Sequence, residues 1–244
     1  MILSDEISKW IKIEVEKAGA QGIVVGLSGG IDSAVTATLS KKAVGDNVLG
    51  LIMPCFSSST DEDHARLIAQ RLKIKTKRIE LDAIYQTITR ALEGAGMPED
   101  NKLSLANLKP RLRMMTLYYV ANCLNYLVAG TGNKSEIMVG YFTKYGDGGV
   151  DILPIGGLLK TEVRELAKEL DIPEEILTRV PTAGLWEGQT DEGELGITYE
   201  NLDKILRALE SGEPLNFQPD IVTNVKRLIE TSQHKRMLPP IFEK

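Results

Sequence analysis

Residues 22–33, GIVVGLSGGIDS, carry an apolar, β-branched run through two adjacent glycines directly into a helical pattern, and few architectures accommodate that junction. The run reads as a buried strand (22–28), and the helix reads from about Asp32 to Val44. One glycine would satisfy a tight turn. Two in succession, Gly29 and Gly30, let the backbone take positive φ and let its amides close on an anion. Ser28 and Ser33 add hydroxyl donors, and the helix N-terminus adds its dipole. This is the chemistry of a phosphate cradle. The loop lacks the Gly-Lys-Ser/Thr ending of a Walker loop and the three-glycine spacing of a dinucleotide fold. Asp32 would repel a bare phosphate, so it implies a bridging Mg²⁺. The plainer alternative is a Gly-Gly turn with Asp32 as a helix cap.

The rest of the chain repeats the strand-then-helix pattern. Ser4 reads as the N-cap of a helix through Lys17, with Ile7, Trp10, Ile11 and Val15 on one face and Gly19 as the stop. A second strand at 47–54 ends at Pro54, and a helix over 60–73 begins with a Thr60/Asp63 cap. A third strand at 76–81 precedes a helix from Asp82 to Glu93 and a loop over 93–104. The next helix runs from near Asn107 to Asn125, with Pro110 tolerated in its first turn. A fourth strand occupies 126–132, and a glycine-rich loop covers 141–154. Helices follow at 161–170 and 200–210, separated by the polar segment WEGQTDEGELG, and a C-terminal helix ends in HKRMLPP. Alternation of this kind predicts an α/β fold: a doubly wound, open parallel sheet with helices on both faces. No internal repeat or linker divides the chain, so one domain over 1–244 is expected.

Composition narrows the partners. A net charge of −5 gives no general attraction for phosphate backbones or anionic membranes, so no nucleic-acid or membrane partner is expected. MILSDEISKW has neither the basic start nor the apolar run of a signal peptide, and no stretch nears the roughly 18 apolar residues of a membrane span. Cys55 and Cys123 make no disulfide framework or metal knuckle; Cys123 reads as buried in an apolar helix. A cytoplasmic location is the default.

SGGIDS resembles the pyrophosphate loop of the ATP pyrophosphatase (PP-loop) superfamily, whose members cleave ATP to AMP and pyrophosphate and so adenylate a carboxylate or carbonyl oxygen. The loop alone does not choose among NAD, GMP, asparagine and argininosuccinate synthetases or the tRNA-modifying members. Further motifs do: NLKPRLRM (107–114), GTGNKSE (130–136), GYFTKYGDGGVDILPI (140–155), LLKTEVRELA (158–167), GQTDEGELGITYENLD (188–203) and HKRMLPP (234–240). Together, from about Gly22 to Pro240, they resemble the ammonia-dependent NAD synthetases in family order. Pro110 departs from the pattern, since relatives often carry alanine there.

The resemblance implies an adenine-nucleotide hydrolase-like, Rossmann-like sheet. It implies ATP-dependent amidation of deamido-NAD by ammonia, through an adenylated carboxylate, as the last step of NAD biosynthesis. By the same resemblance ATP meets the loop Gly26, Leu27, Ser28, Gly29, Gly30, Ile31, Asp32 and Ser33, together with Thr131, Lys160 and Thr182. Asp32 and Lys160 carry catalysis, and Asp32 and Glu136 hold Mg²⁺. A lysine suits pyrophosphate, whose charge rises as the α–β bond breaks. Deamido-NAD falls to Arg111 as first choice, then Arg113, with Lys144, Asp151, His234 and Lys235. The two arginines, two residues apart, cannot share one helix face. A homodimer with a shared acceptor site is also implied, for which MMTLYYVANCLNYL could be interface or core.

Plainer roles exist for each residue. Glu136 could be only a first-turn acid, Lys160 a solvated helix-start lysine, and His234 and Lys235 part of a solvated tail. Three rivals share the loop or the fold. A glutamine-dependent enzyme would carry an amidohydrolase domain, for which no segment here is long enough, so free ammonia is expected. A tRNA sulfur transferase would need reactive cysteines. A nucleotide sensor would not need Asp32, Glu136 and Lys160 together.

Overall fold

A computed structural model describes residues 2–98, 101–186, 188–214 and 216–243. Parts of the expected 93–104 loop (99 and 100) and of the polar segment (187) lie outside the described residues. The first half comprises α1 (Leu3–Lys17), β1 (Gly22–Gly26), α2 (Ile31–Val44), β2 (Val48–Ile52), α3 (Ser59–Arg71), β3 (Lys75–Arg78) and α4 (Asp82–Gly94). Next come α5 (Lys102–Ala106), α6 (Leu108–Leu124), β4 (Tyr126–Ala129), α7 (Lys134–Val139) and α8 (Lys160–Glu169). The chain continues through α9 (Glu174–Leu177), α10 (Asp191–Leu195), α11 (Tyr199–Ser211), α12 (Pro219–Thr231) and α13 (Gln233–Arg236).

The four strands pair in parallel in the order β3-β2-β1-β4. The chain winds outward from β1 to β3, then returns on the other side of β1 to lay down β4. A crevice therefore opens between the carboxyl ends of β1 and β4, where ligands bind in sheets of this kind. Successive β1 residues point to opposite faces. Ile23 and Val25 meet Val35, Leu39, Ile68 and Leu166 from α2, α3 and α8, while Val24 joins Leu51, Val128, Leu81, Leu112 and Ala121 on the α6 side. Each such valine, leucine or isoleucine contributes about 1.5–3 kcal/mol on burial. A third apolar cluster, Val139, Tyr199, Leu202, Ile205 and Val225, joins α7, α11 and α12 away from the sheet.

Several sequence expectations need correction. Ser4 does not cap α1: the N-cap is Ile2, and Ser4 is buried with its hydroxyl donating to Glu169 Oε1 at 3.0 Å. Trp10 is 39% exposed, because the buried stripe of α1 is Ser4, Ser8, Ile11 and Val15. The Thr60/Asp63 cap gives way to Ser58, whose hydroxyl accepts from the Thr60 amide at 3.1 Å. The 93–104 loop contains the start of α5. Strands β3 and β4 are shorter than 76–81 and 126–132 suggest; pairing of β4 gives way at Gly130, whose amide turns to the Ile152 carbonyl at 2.8 Å. Cys123 is exposed, not buried, whereas Cys55 is buried and burial raises its thiol pKa. No helix among the described residues is long and apolar enough to cross a membrane.

Candidate active site

The loop after β1 is held by its own hydroxyls. Ser28 Oγ donates to Ser33 Oγ at 3.1 Å, Ser33 Oγ lies 2.9 Å from the Gly30 carbonyl, and the Gly30 amide donates to Ser28 Oγ at 3.3 Å. Gly29 has φ +78°, and a Cβ there would run into the Asp61 backbone carbonyl. Only glycine meets both demands. Gly30, not Asp32, is the N-cap of α2. Asp32 sits in the first turn with its carboxylate turned to the crevice, where Oδ1 accepts from Asn133 Nδ2 at 3.0 Å and Oδ2 from Lys160 Nζ at 2.5 Å.

Beyond β4 the chain builds the facing wall. Asn133 caps α7 in a reciprocal box: its Oδ1 accepts from the Glu136 amide at 3.0 Å, and Glu136 Oε2 accepts from the Asn133 amide at 3.3 Å. The other oxygen, Oε1, lies 3.1 Å from Lys160 Nζ. Glu136 therefore both caps its helix and faces the crevice. Lys160 opens α8, yet it is buried, with a side chain 2% exposed. Tyr199 from α11 donates to Asp191 Oδ2 at 3.0 Å and lies 3.4 Å from Glu136 Oε1. Its ring also sits 5.0 Å from the Lys160 ammonium.

Acid is in excess here. Burial works against the Lys160 charge, but Asp32 and Glu136 more than offset it and hold its pKa above the ordinary lysine range. Burial pushes Glu136 up to about 7, opposed by Lys160 and reinforced by Asp32. Burial also raises Asp191, whose Oδ1 has no hydrogen-bond partner among the described residues. Three carboxylates around one ammonium make a site suited to a further cation. Among the described residues no three-ligand His/Cys/Asp/Glu cage exists. Asp32 and Glu136 would thus give a small hard cation two carboxylates and leave the remaining positions to water or phosphate, the usual arrangement for Mg²⁺.

These groups lie along a cavity of about 430 Å³. The loop 26–33 lines it, except Gly29, together with Thr131, Glu136, Lys160 and Thr182. Of the residues expected at the acceptor, Arg113 and Lys235 line the cavity. Arg113 donates to the Met53 carbonyl at 3.1 Å, and Lys235 to the Gly140 and Phe142 carbonyls at 2.8 and 2.9 Å. Arg111 and His234 are exposed and stand outside the cavity wall, and Lys144 donates to the His234 carbonyl. Asp151 has both oxygens engaged, by Tyr118 Oη at 2.9 Å and the Val128 amide at 2.8 Å, so it ties the glycine-rich loop to α6 and β4.

Sequence reasoning assigned no role to Asn133, Asp191, Tyr199 or Arg179. Arg179, itself on the cavity wall, pairs with Asp61 and reaches the Gly29 carbonyl at 3.4 Å, steadying the loop. Asn133 had a local signal, since Asn-x-x-Glu after a strand is a capping pattern. Asp191 and Tyr199 fall within the GQTDEGELGITYENLD motif but had no individual role there, and Arg179 had no signal.

A family model described as NAD synthase matches residues 3–239. The NH(3)-dependent NAD(+) synthetase of Carboxydothermus hydrogenoformans is 52% identical over 238 residues, covering 98% of this chain and 96% of that protein. Among solved structures, NMN synthetase from Francisella tularensis superposes with a TM-score of 0.91 at 36% identity, over 99% of this chain and 98% of that one. The NH3-dependent NAD synthetase from Campylobacter jejuni, in complex with the nitrate ion, gives 0.85 at 32% identity over 99% and 98%.

Proposed function

The chain belongs to the NAD synthase family, and on that premise we propose that it amidates deamido-NAD with ammonia and ATP, releasing NAD, AMP and pyrophosphate. The observation that carries this reading is the convergence of Asp32 and Glu136 on the buried Lys160 ammonium, beside the Ser28–Ser33 loop. A carboxylate is a poor electrophile because oxide is a hopeless leaving group. Transfer of AMP onto the nicotinate carboxylate supplies a good one. Its oxygen attacks the α-phosphorus of ATP, the bond to the β-phosphate breaks, and pyrophosphate leaves. Ammonia then adds to the activated carbonyl, loses a proton, and AMP departs with the electron pair of the C–O bond.

The protein's share of this work is positioning and charge stabilisation. The loop amides and the α2 N-terminus hold phosphate oxygens, and Lys160 meets the negative charge that grows on departing pyrophosphate. Mg²⁺, held by Asp32 and Glu136, supplies further neutralisation of the triphosphate when bound. Of the residues expected at the acceptor, Arg113 and Lys235 on the cavity wall are the ones assigned to it, while Arg111, Lys144 and His234 stand outside that wall and Asp151 serves the loop's own structure. A homodimer accounts for α6, where Met115 and Tyr119 stand 61% and 72% exposed one turn apart. The second subunit would then complete the acceptor site, and the cytoplasm, where ATP is abundant, is the compartment that suits the reaction.

One alternative acceptor has a specific observation behind it. The match to an NMN synthetase spans nearly the whole chain, so nicotinate mononucleotide is the competing substrate. Pyrophosphate release decides, measured with ATP, Mg²⁺ and ammonium against deamido-NAD, nicotinate mononucleotide and a xanthine nucleotide in parallel. Release with deamido-NAD, at the highest kcat/KM of the three, is expected. Preference for the mononucleotide moves the assignment to that acceptor, and silence from folded protein refutes the amidation reaction. Glutamine in place of ammonium should give no turnover.

A further inference from the structure

Helix α8 shares the apolar core of β1 and α2 through Val163, Leu166 and Ala167, but the helix ends that present Glu136 and Lys160 are fixed by polar contacts. Helix α7 is six residues long, and the first residues of α8 leave backbone amides without intrahelical partners. Both ends converge on one side chain, Asp203 of α11, which is 1% exposed. Its Oδ2 accepts from the Thr161 amide at 2.8 Å. Its Oδ1 accepts a short bond from Ser135 Oγ, and the same Ser135 oxygen accepts from the Lys160 amide at 2.9 Å. Ser135 is itself fully buried and precedes Glu136 directly. One carboxylate thus ties the residue before Glu136 to the backbone of Lys160 and of its neighbour. Four residues earlier on the same face of α11, Tyr199 touches Glu136 and Asp191.

We propose that Asp203 is a positioning residue, which fixes the spacing of the α7 and α8 N-termini so that Glu136 and Lys160 face Asp32 across the crevice. This rests on the function given above and deepens it, since Asp203 touches neither the cavity nor any reacting group. A buried carboxylate suits the task for two reasons. It has an acceptor oxygen for each of two donors, and its charge is favoured at the start of α8. Asparagine would keep the shape but offer one acceptor oxygen for two donors. Alanine would leave the Thr161 amide and the Ser135 O–H buried without an acceptor.

The experiment compares wild type with Asp203→Ala, Asp203→Asn and Ser135→Ala, at a temperature where circular dichroism shows each to be folded. Removing such a support is expected to lower kcat by about 10- to 100-fold in the alanine variant. Ser135→Ala and Asp203→Asn, which each keep part of the linkage, should fall between the alanine variant and wild type. The KM for deamido-NAD should change by less than about twofold, because its cationic partners lie on α6 and α13 rather than on α7 or α8. Val225→Ala, in the apolar cluster that packs α11 against α7 and α12, should lose thermal stability while keeping kcat, which separates loosened packing from lost positioning. Hydrogen exchange should quicken over residues 134–139 and 160–163 in Asp203→Ala and stay unchanged over 31–36. If Asp203→Ala does not fold, Ser135→Ala and Asp203→Asn decide by the same readouts. A wild-type kcat in folded Asp203 variants, or a loss of kcat matched by Val225→Ala, overturns the proposal while leaving the amidation intact. Silence from wild type would instead strike the amidation itself.

Discussion

The two walls of the crevice are built on different principles. Asp32 stands on α2, whose Val35 and Leu39 pack with Ile23 and Val25 of β1 and Ile68 of α3, all within 5% of full burial. Its position is secured by non-directional apolar contact spread over many residues. Glu136 and Lys160 stand on α7 and α8, whose ends are secured by a short list of buried hydrogen bonds through Asn133, Ser135 and Asp203. Apolar packing degrades gradually when trimmed. A buried polar network fails at once when one partner is removed, because the group left behind has lost its water as well. The wall that presents the buried ammonium is the one whose helix ends are specified by directed bonds.

The largest expected effect lies on the polar wall. Lys160→Ala leaves three acids facing one another and removes the cation proposed to meet pyrophosphate, so kcat should fall by about 10³-fold or more. Single-turnover pyrophosphate release checks it, and a variant within tenfold of wild type would show that the ammonium is only a structural counter-ion. Next comes the apolar wall. Ile23→Ala should cost about 3 kcal/mol of unfolding free energy, read in urea, while KM for ATP and kcat stay close to wild type. A large loss of kcat from the folded variant would erase the contrast.

Glu136→Gln sharpens it by pH. The folded carboxyl titrates at about 7 against an ordinary 4.5, because burial disfavours its charge. The folded protein therefore holds more of this proton than the unfolded chain between those values, and stability falls as pH rises through that window. Glutamine removes that fall. In chelator, its melting temperature should match wild type near pH 4.5 and exceed it by several degrees at pH 8. An offset independent of pH would contradict the burial assigned to this acid. Smallest is Cys123→Ser on the exposed face of α6, where stability should move by no more than about 0.5 kcal/mol and activity should persist.

The same contrast governs how much could be read from residues alone. The β1 strand, its glycine turn and the placement of Asp32 on the following helix are local in sequence, and Gly29 is required by a φ value that the Gly-Gly pair announces. The parallel sheet and its helices on both faces follow from alternation of the same local kind. What escaped was non-local. Ser135 and Asp203 are 68 residues apart, so no spacing rule links them. Ser4 reads as a cap by local chemistry, but a bond to Glu169, 165 residues away, places it inside the helix. The apolar residues of α6 fall on all its sides, so periodicity gave Cys123 no face, and the solvent took it. Asp151 has the side chain expected of a ribose contact but spends both oxygens inside the protein.

The ends of the sheet carry a last implication. Its outermost strand on one side, β3, is four residues long, reads Lys-Thr-Lys-Arg and is exposed throughout. On the other side β4 is shielded by a parallel bridge from Ala129 to Ile152. Neither border offers an uncharged, open ladder to a stranger's backbone, so the molecule resists fibril-like growth by strand addition. A second copy therefore finds no strand border along which to extend the sheet.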